Sequence, residues 1–228
     1  MRLPAGGGPF PAVIMIHGGF WRAAFDVSRA QPLCERLQLE GIATFSLEYR
    51  RVGNPGGGWP GTLDDIRAAG AFFGREAGNH GIDVRRIAVA GHSAGGQLAL
   101  WLAGERVLPL RGAVSLAGAV DLRRAWELEL GKGAAAEFLG GSPAQYPERY
   151  QAASPVERLP VGVPVRLIHG IEDTVVPLEI SEAYAVAARA VNDDVDLLAL
   201  PCVGHAELID PQTAAFREVV STLAALLS

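Results

Sequence analysis

Short apolar runs alternate along the chain with longer stretches of helical period. Six runs rich in Val, Ile and Leu show little alternation of apolar and polar positions, which is typical of strands buried on both faces of a sheet. They cover residues 12–16, 42–47, 86–90, 112–116, 163–168 and 195–200. Helix patterns cover residues 28–40, 62–77, 94–104, 178–191 and 211–227. This alternation predicts an α/β fold with a mostly parallel sheet and helices on both faces.

One segment interrupts this alternation. Residues 121–160 contain no strand pattern, only short helical pieces separated by glycine and proline. Because the segment lies between two predicted strands, we expect a cap-like insertion over the carboxyl edge of the sheet, where open α/β sheets bind ligands. Its glycines break it too often for the long helical lid of a lipase. A length of 228 residues favours one domain over residues 1–228.

Composition narrows the classes of partner. The net charge of −5 gives no electrostatic footprint for nucleic acid or an anionic membrane, so we expect neither as a partner. Cys34 and Cys202 do not form a disulfide framework, and no cysteine or histidine cluster has metal-ligand spacing. We expect no metal and no organic cofactor. The early apolar run is too short for a signal sequence, which predicts a cytoplasmic protein.

The clearest chemical signal is Gly91-His92-Ser93-Ala94-Gly95-Gly96, between a predicted strand and a predicted helix. A sharp strand-to-helix turn needs glycines around its central residue, and it holds the serine hydroxyl above the sheet. This context predicts Ser93 as a nucleophile. A structural glycine turn is the alternative interpretation.

A second glycine turn, His17-Gly18-Gly19-Phe20-Trp21, follows the first predicted strand. Backbone amides can be aimed at a developing oxyanion only where no side chain blocks the approach. We assign the amide of Ala94 and that of Gly19 or Phe20 to an oxyanion hole. Trp21 and His92 are candidates for the substrate pocket.

The acid and the base should follow Ser93 in the order acid, then histidine. His205 lies in a loop after the last predicted strand and is the predicted base, whereas His169 at a strand end fits a buried, hydrogen-bonded role. Asp173, after the fifth predicted strand, is the predicted acid. Glu172 and Asp121 are its competitors.

Taken together, these motifs, with Asp173-Thr174-Val175-Val176-Pro177 and Gly204-His205, resemble a branch of the α/β hydrolases. This branch comprises small esterases and lipases related to kynurenine formamidases, feruloyl and acetyl xylan esterases and prolyl-oligopeptidase-type hydrolases. Members usually have an antiparallel hairpin before the strand that leads to His-Gly-Gly. Here only 16 residues precede His17, so we expect a minimal sheet or a truncated start.

The residues and the resemblance predict a serine hydrolase that cleaves carboxylic esters with short acyl groups. An amidase, either arylformamidase-like or a small peptidase, is the alternative enzyme class. A binding module without catalysis is the alternative outside enzymes, although such proteins typically lack a triad member or the oxyanion glycines. The motifs do not distinguish the acyl and alcohol groups or the oligomeric state.

Overall fold

The computed structural model describes all 228 residues and contains one six-stranded sheet. Every pair of neighbouring strands is parallel, in the order β2-β1-β3-β4-β5-β6. The strands are β1 (Phe10–Ile16), β2 (Ala43–Leu47), β3 (Ile82–His92), β4 (Gly112–Leu116), β5 (Val165–Gly170) and β6 (Val195–Leu200). The predicted α/β fold is confirmed.

Eight α-helices cover the sheet and connect its strands. They are α1 (Gln31–Leu39), α2 (Gly61–Glu76), α3 (Ala94–Glu105), α4 (Leu122–Glu127), α5 (Leu130–Leu139), α6 (Pro147–Ala153), α7 (Glu179–Ala190) and α8 (Ala214–Leu227). None of the helices is both long enough and apolar enough to cross a lipid bilayer.

Successive residues of β1 belong to different hydrophobic clusters, one on each face of the sheet. Ile14 and Ile16 pack in a cluster of 40 buried residues, whereas Val13 and Met15 pack in a cluster of 20. Since helices cover both faces, residues 12–16 of β1 and all residues of β4 are buried whichever way their side chains point. This burial explains why these strands show no alternation of apolar and polar residues.

Several predicted boundaries of helices and strands differ from those in the structure, and local contacts explain the differences. The predicted helix 28–40 is divided into a 3-10 turn at Val27–Ala30 and helix α1, which has proline in its first turn. Strand β3 begins earlier than predicted, because Arg85 and Arg86 pair with Asp83 and hide the strand from an apolar pattern. The final helix begins after Thr213, whose side chain accepts a hydrogen bond from the amide of Phe216.

The strand register brings the candidate site residues to one edge. Ile16 of β1 lies opposite Gly91 of β3, and His92 at the end of β3 lies opposite Leu116 of β4. The loops that follow β1 and β3 therefore leave the sheet side by side, and the loop that follows β5 leaves the same edge two strands beyond β3. At the opposite end of β2, Arg2 forms an isolated antiparallel bridge with Thr44. Residues 121–160 hold helices α4, α5 and α6 and no strand.

Candidate active site

Ser93 occupies a sharp turn between β3 and α3. Its backbone has φ 58° and ψ −122°, a combination that an L-residue adopts only when the surroundings impose it. A side chain at Gly91 would place Cβ 2.1 Å from the carbonyl oxygen of Gly95, and one at Gly95 would place it 2.1 Å from that of Ile16. Glycine is therefore required on both sides of the serine for β1, β3 and α3 to meet so closely.

Hydrogen bonds hold Ser93 in this conformation. Its amide donates to the carbonyl of Leu116 at 2.8 Å, and its carbonyl accepts from the amide of Gly96 at 2.9 Å. The residue is only 4% exposed, and its hydroxyl does not cap the helix that follows. The strained backbone thus presents a hydroxyl that is free to take part in chemistry.

Residues 19–22 form a tight turn beside Ser93, which we call the oxyanion turn after its predicted role. The amide of Arg22 donates to the carbonyl of Gly19 at 3.0 Å, and the two central residues have positive φ, as in a type I′ turn: 51° at Phe20 and 55° at Trp21. Gly18 lies against the turn of residues 91–95 around Ser93, which we call the serine turn, since a Cβ at Gly18 would be 3.0 Å from Cβ of Ser93.

The amides assigned to the oxyanion hole are available to a ligand. Gly19 and Phe20 are half-buried, and their amides donate to no protein acceptor, so both can donate to a bound ligand. The amide of Ala94 is the first of helix α3, where no carbonyl of the same helix can accept from it. Free amides on both sides of Ser93 are what stabilisation of an oxyanion requires.

His205 and Asp173 are in direct contact. Nδ1 of His205 lies 2.7 Å from Oδ2 of Asp173, while Oδ1 of Asp173 accepts from the amides of Val175 and Val176 at 2.8 and 2.9 Å. A carboxylate can only accept, so Nδ1 carries the proton and Nε2 is left to face the site. The acid therefore fixes both the tautomer and the orientation of His205.

Asp173 is held in its ionised form. Burial of the carboxyl favours the neutral acid, but hydrogen bonds with His169 and His205 and with the amide of Val176 outweigh burial. The pKa of Asp173 therefore lies well below its usual range. The carboxylate is charged throughout the neutral range, as a partner of His205 must be.

Two further histidines support this pair. His169, which is fully buried, lies 3.4 Å from Oδ2 of Asp173 and donates from Nε2 to the carbonyl of Val176 at 2.8 Å. His92 donates from Nε2 to the carbonyl of His205 at 2.9 Å, and the two rings lie 4.4 Å apart. Burial and the nearby His205 lower the pKa of His92 to about 3, so its ring is neutral.

The structure brings the predicted base beside His92, the residue that precedes the predicted nucleophile. His92 precedes Ser93 and binds the backbone of His205, so the imidazole lies beside the serine turn. Ser93 Oγ and His205 Nε2 form no hydrogen bond with each other in this structure. Such contacts are often long in the absence of substrate and tighten when it binds.

The competing acids occupy other places. Asp121 caps α4, where its Oδ1 accepts from the amide of Arg124 at 3.0 Å. Glu172 is exposed and its side chain makes no contact with His205. Only Asp173, of these three carboxylates, contacts the predicted base.

The prediction that Trp21 lines the substrate pocket is corrected. Its side chain is 1% exposed and stacks on Phe138, and its Nε1 donates to Oε1 of Gln97 at 2.9 Å. Sequence reasoning missed Gln97, which lies one helical turn after Ser93 and also donates to the carbonyl of Ala153 at 2.8 Å. Its signal was a single amide in an otherwise apolar helix.

The side chains offer no metal site, because no group of three or more His, Cys, Asp or Glu residues is arranged to hold an ion.

The predicted pocket residue His92 is 9% exposed and lies against His205. It therefore supports the predicted base and does not form an open wall of the pocket.

Curated proteins are similar to this chain in sequence. Esterase LipC of Mycobacterium tuberculosis (strain ATCC 25618 / H37Rv) is 32% identical over 222 residues, which cover 89% of this chain and 54% of LipC. The chain spans about half the length of the curated relatives it matches.

Two solved structures superpose on nearly the whole chain. The bifunctional GH43-CE protein of Bacteroides eggerthii has a TM-score of 0.83 at 21% identity and covers 99% of this chain and 35% of its own. The butyrate-bound esterase Est2 of Thermogutta terrifontis has a TM-score of 0.79 at 21% identity and covers 99% of this chain and 86% of its own.

The BD-FAE family model matches residues 2–187, which include the serine turn, the oxyanion turn and Asp173. This match confirms the resemblance of the sequence motifs to the esterase branch of the α/β hydrolases. With most of its length matched, the chain belongs to the BD-FAE family.

Proposed function

We propose that this chain is a serine hydrolase that cleaves carboxylic esters of small substrates. The observation that carries the proposal is the placement of His205. Asp173 orients its ring from one side, and His92, next to Ser93, binds its backbone from the other. An oriented imidazole beside a strained, unpaired serine is the arrangement that activates a hydroxyl for acyl transfer.

The reaction follows from the groups present. His205 Nε2 takes the proton of Ser93 Oγ while Oγ attacks the ester carbonyl carbon. The negative charge that develops on the carbonyl oxygen receives hydrogen bonds from the amides of Ala94 and of Gly19 or Phe20, and each such donor contributes about 3–4 kcal/mol to transition-state stabilisation. The imidazolium then protonates the alcohol as the C–O bond breaks, which leaves an acyl group on Ser93.

The same groups return the enzyme to its starting state. A water molecule gives a proton to His205 Nε2 and attacks the acyl carbon, and the amides again stabilise the oxyanion. When Oγ leaves, His205 returns the proton to it, and the carboxylic acid is released. No step requires a group that this chain does not supply.

The names of related proteins support an ester substrate over an amide. LipC is an esterase by name, and Est2 of T. terrifontis is an esterase with butyrate bound. We expect p-nitrophenyl butyrate to be hydrolysed with a kcat/KM far above that for N-formylkynurenine, measured with the same preparation. Preferential hydrolysis of N-formylkynurenine would instead identify an amidase.

The cytoplasmic location that the sequence predicts stays a prediction.

The insertion predicts a short-acyl preference. Its helices α4, α5 and α6 span only 6, 10 and 7 residues, and left-handed residues at 131–133 interrupt α5, so they are too short for a lid that opens a long apolar groove. A buried methylene adds about 0.8 kcal/mol of binding, roughly a fourfold gain, only while the pocket has room for it. We expect kcat/KM for p-nitrophenyl esters to rise from acetate to about butyrate and then fall.

One outcome of this chain-length series would contradict the short-acyl preference. A continued rise to palmitate, with a jump in rate above the solubility limit of the ester, would show that the insertion acts as a lipase lid. A rate that saturates smoothly through the solubility limit is the result that the short helices predict.

A further inference from the structure

Helix α5 of the insertion packs against the oxyanion turn. The indole of Trp21 stacks on Phe138 with ring centroids 4.8 Å apart and planes 5° from parallel. The next residue, Arg22, donates from Nε to Oε2 of Glu137 at 2.7 Å. The turn that carries the candidate oxyanion amides is therefore packed from outside the sheet by a separate part of the chain.

Phe20, the first central residue of this turn, packs against a residue without a side chain. A Cβ atom at Gly131 would lie 2.6 Å from Cδ1 and 2.8 Å from Cγ of Phe20. Carbon atoms pack at about 3.5–4.0 Å, so this space is already filled by the ring. Rotation of the ring about the Cβ–Cγ bond leaves Cγ in place and cannot relieve the overlap. The side chain of Phe20 would have to swing about its Cα–Cβ bond, or the turn that carries it would have to move.

The backbone conformation alone does not require glycine at position 131. Gly131 has φ 59° and ψ 28°, and Lys132 beside it has the same φ, 59°, with a side chain present. Gly133 is also left-handed, with φ 83°, but nothing lies within 4 Å of a Cβ built on it. What distinguishes Gly131 from both neighbours is the contact with Phe20.

We propose that Gly131 is a positioning residue for ester hydrolysis, because its missing side chain leaves the space that fixes Phe20 and hence the amides of the oxyanion turn. The inference rests on the proposed function. It gives the insertion a role in stabilising the transition state, in addition to bounding the substrate pocket.

Gly131→Ala and Gly133→Ala form a matched pair that tests the proposal. Each adds one methyl group to a left-handed residue of the same segment, but only the first collides with Phe20. A misplacement of about 1 Å in a catalytic group can cost about 100-fold in rate. We expect Gly131→Ala to lower kcat by about 10- to 100-fold with little change in KM, and Gly133→Ala to retain the parent kcat. Equal kcat values for the two variants would overturn the proposal.

Two further readouts separate positioning from a steric or purely structural role. A trifluoromethyl ketone forms a tetrahedral adduct with an active serine, so its Ki should rise in Gly131→Ala by the same factor as kcat/KM falls. The fall in kcat should also be the same for acetate and butyrate esters. A loss that grows with acyl length, or an unchanged Ki, would show that residue 131 only bounds the pocket and would contradict the proposal.

A Phe20→Ala background completes the test. Without the ring there is room for a methyl group, so Gly131→Ala should cost no more there than Gly133→Ala does. If the single variant Gly131→Ala fails to fold, the double variant is expected to fold and to match Phe20→Ala in kcat. A double variant that remains unfolded, or one with a further large loss, would overturn the proposal.

Measurements on the parent protein distinguish a failure of the proposed function from a failure of this inference. A parent that neither hydrolyses p-nitrophenyl butyrate nor binds the ketone would contradict the proposed function and this inference with it. A parent active in both assays, with Gly131→Ala indistinguishable from Gly133→Ala, would contradict this inference and leave the proposed function standing.

Discussion

Ser93→Ala is expected to lower kcat for p-nitrophenyl butyrate by about six orders of magnitude, the scale found when the nucleophile of a serine triad is removed. The change deletes the group that forms the acyl-enzyme in the proposed mechanism, and it leaves the amides assigned to the oxyanion hole in place. The fold should survive, because the backbone hydrogen bonds of Ser93 to Leu116 and Gly96 do not involve its hydroxyl. Turnover and thermal unfolding measured on one preparation give both quantities.

Ser115→Ala is the matched control for this variant. Ser115 is as buried as Ser93, lies on the neighbouring strand β4 and has a hydroxyl without a hydrogen-bond partner. Its replacement removes a buried serine hydroxyl close to the same edge of the sheet and should leave kcat close to that of the parent. Activity of Ser93→Ala within tenfold of the parent would contradict the assignment of the nucleophile.

Asp173→Asn is expected to lower kcat by about 10⁴-fold. The amide oxygen can keep the hydrogen bonds from Val175 and Val176, but the NH2 group then faces Nδ1 of His205. A donor at that position selects the tautomer with the proton on Nε2, which cannot accept the proton of Ser93. The measurement is kcat at a pH near 8, with the unfolding temperature recorded to show that the loop is intact.

Asp121→Asn and Glu172→Gln are the controls for the acid. Asparagine can still cap α4 at position 121, and Glu172 is exposed, so both variants should retain activity close to the parent. If Asp121→Asn proved the more damaging change, the acid would have to come from the end of β4 instead of β5.

Much of the fold could be predicted from sequence because both faces of the sheet are covered. Strands β4 and β6 have the predicted bounds, since apolar runs with no alternation are directly visible. The errors arose where polar side chains take part in the element. Asp83 pairs with Arg85 and Arg86 within β3, and Thr213 caps α8 after a proline that the apolar stripe had included.

The candidate site, like the fold, could be predicted from sequence only in part. The serine turn could be predicted because its glycines form a recognisable pattern between a strand and a helix, and the chain order of acid and base follows from the topology. Trp21, Gln97 and Gly131 could not be assigned from sequence, because their roles depend on contacts between distant segments. A tryptophan next to two glycines is compatible with a pocket wall or with the core, and only the stacking on Phe138 distinguishes them.

The central claim, that Ser93 is an activated nucleophile, is tested most directly by covalent labelling. A fluorophosphonate reacts with a serine only when a base removes its proton and an oxyanion hole receives the phosphoryl oxygen. We expect one adduct per chain, found by peptide mass spectrometry on Ser93, with inactivation in proportion to labelling and no adduct in Ser93→Ala. An adduct on another residue, or full activity after reaction at Ser93, would contradict the account.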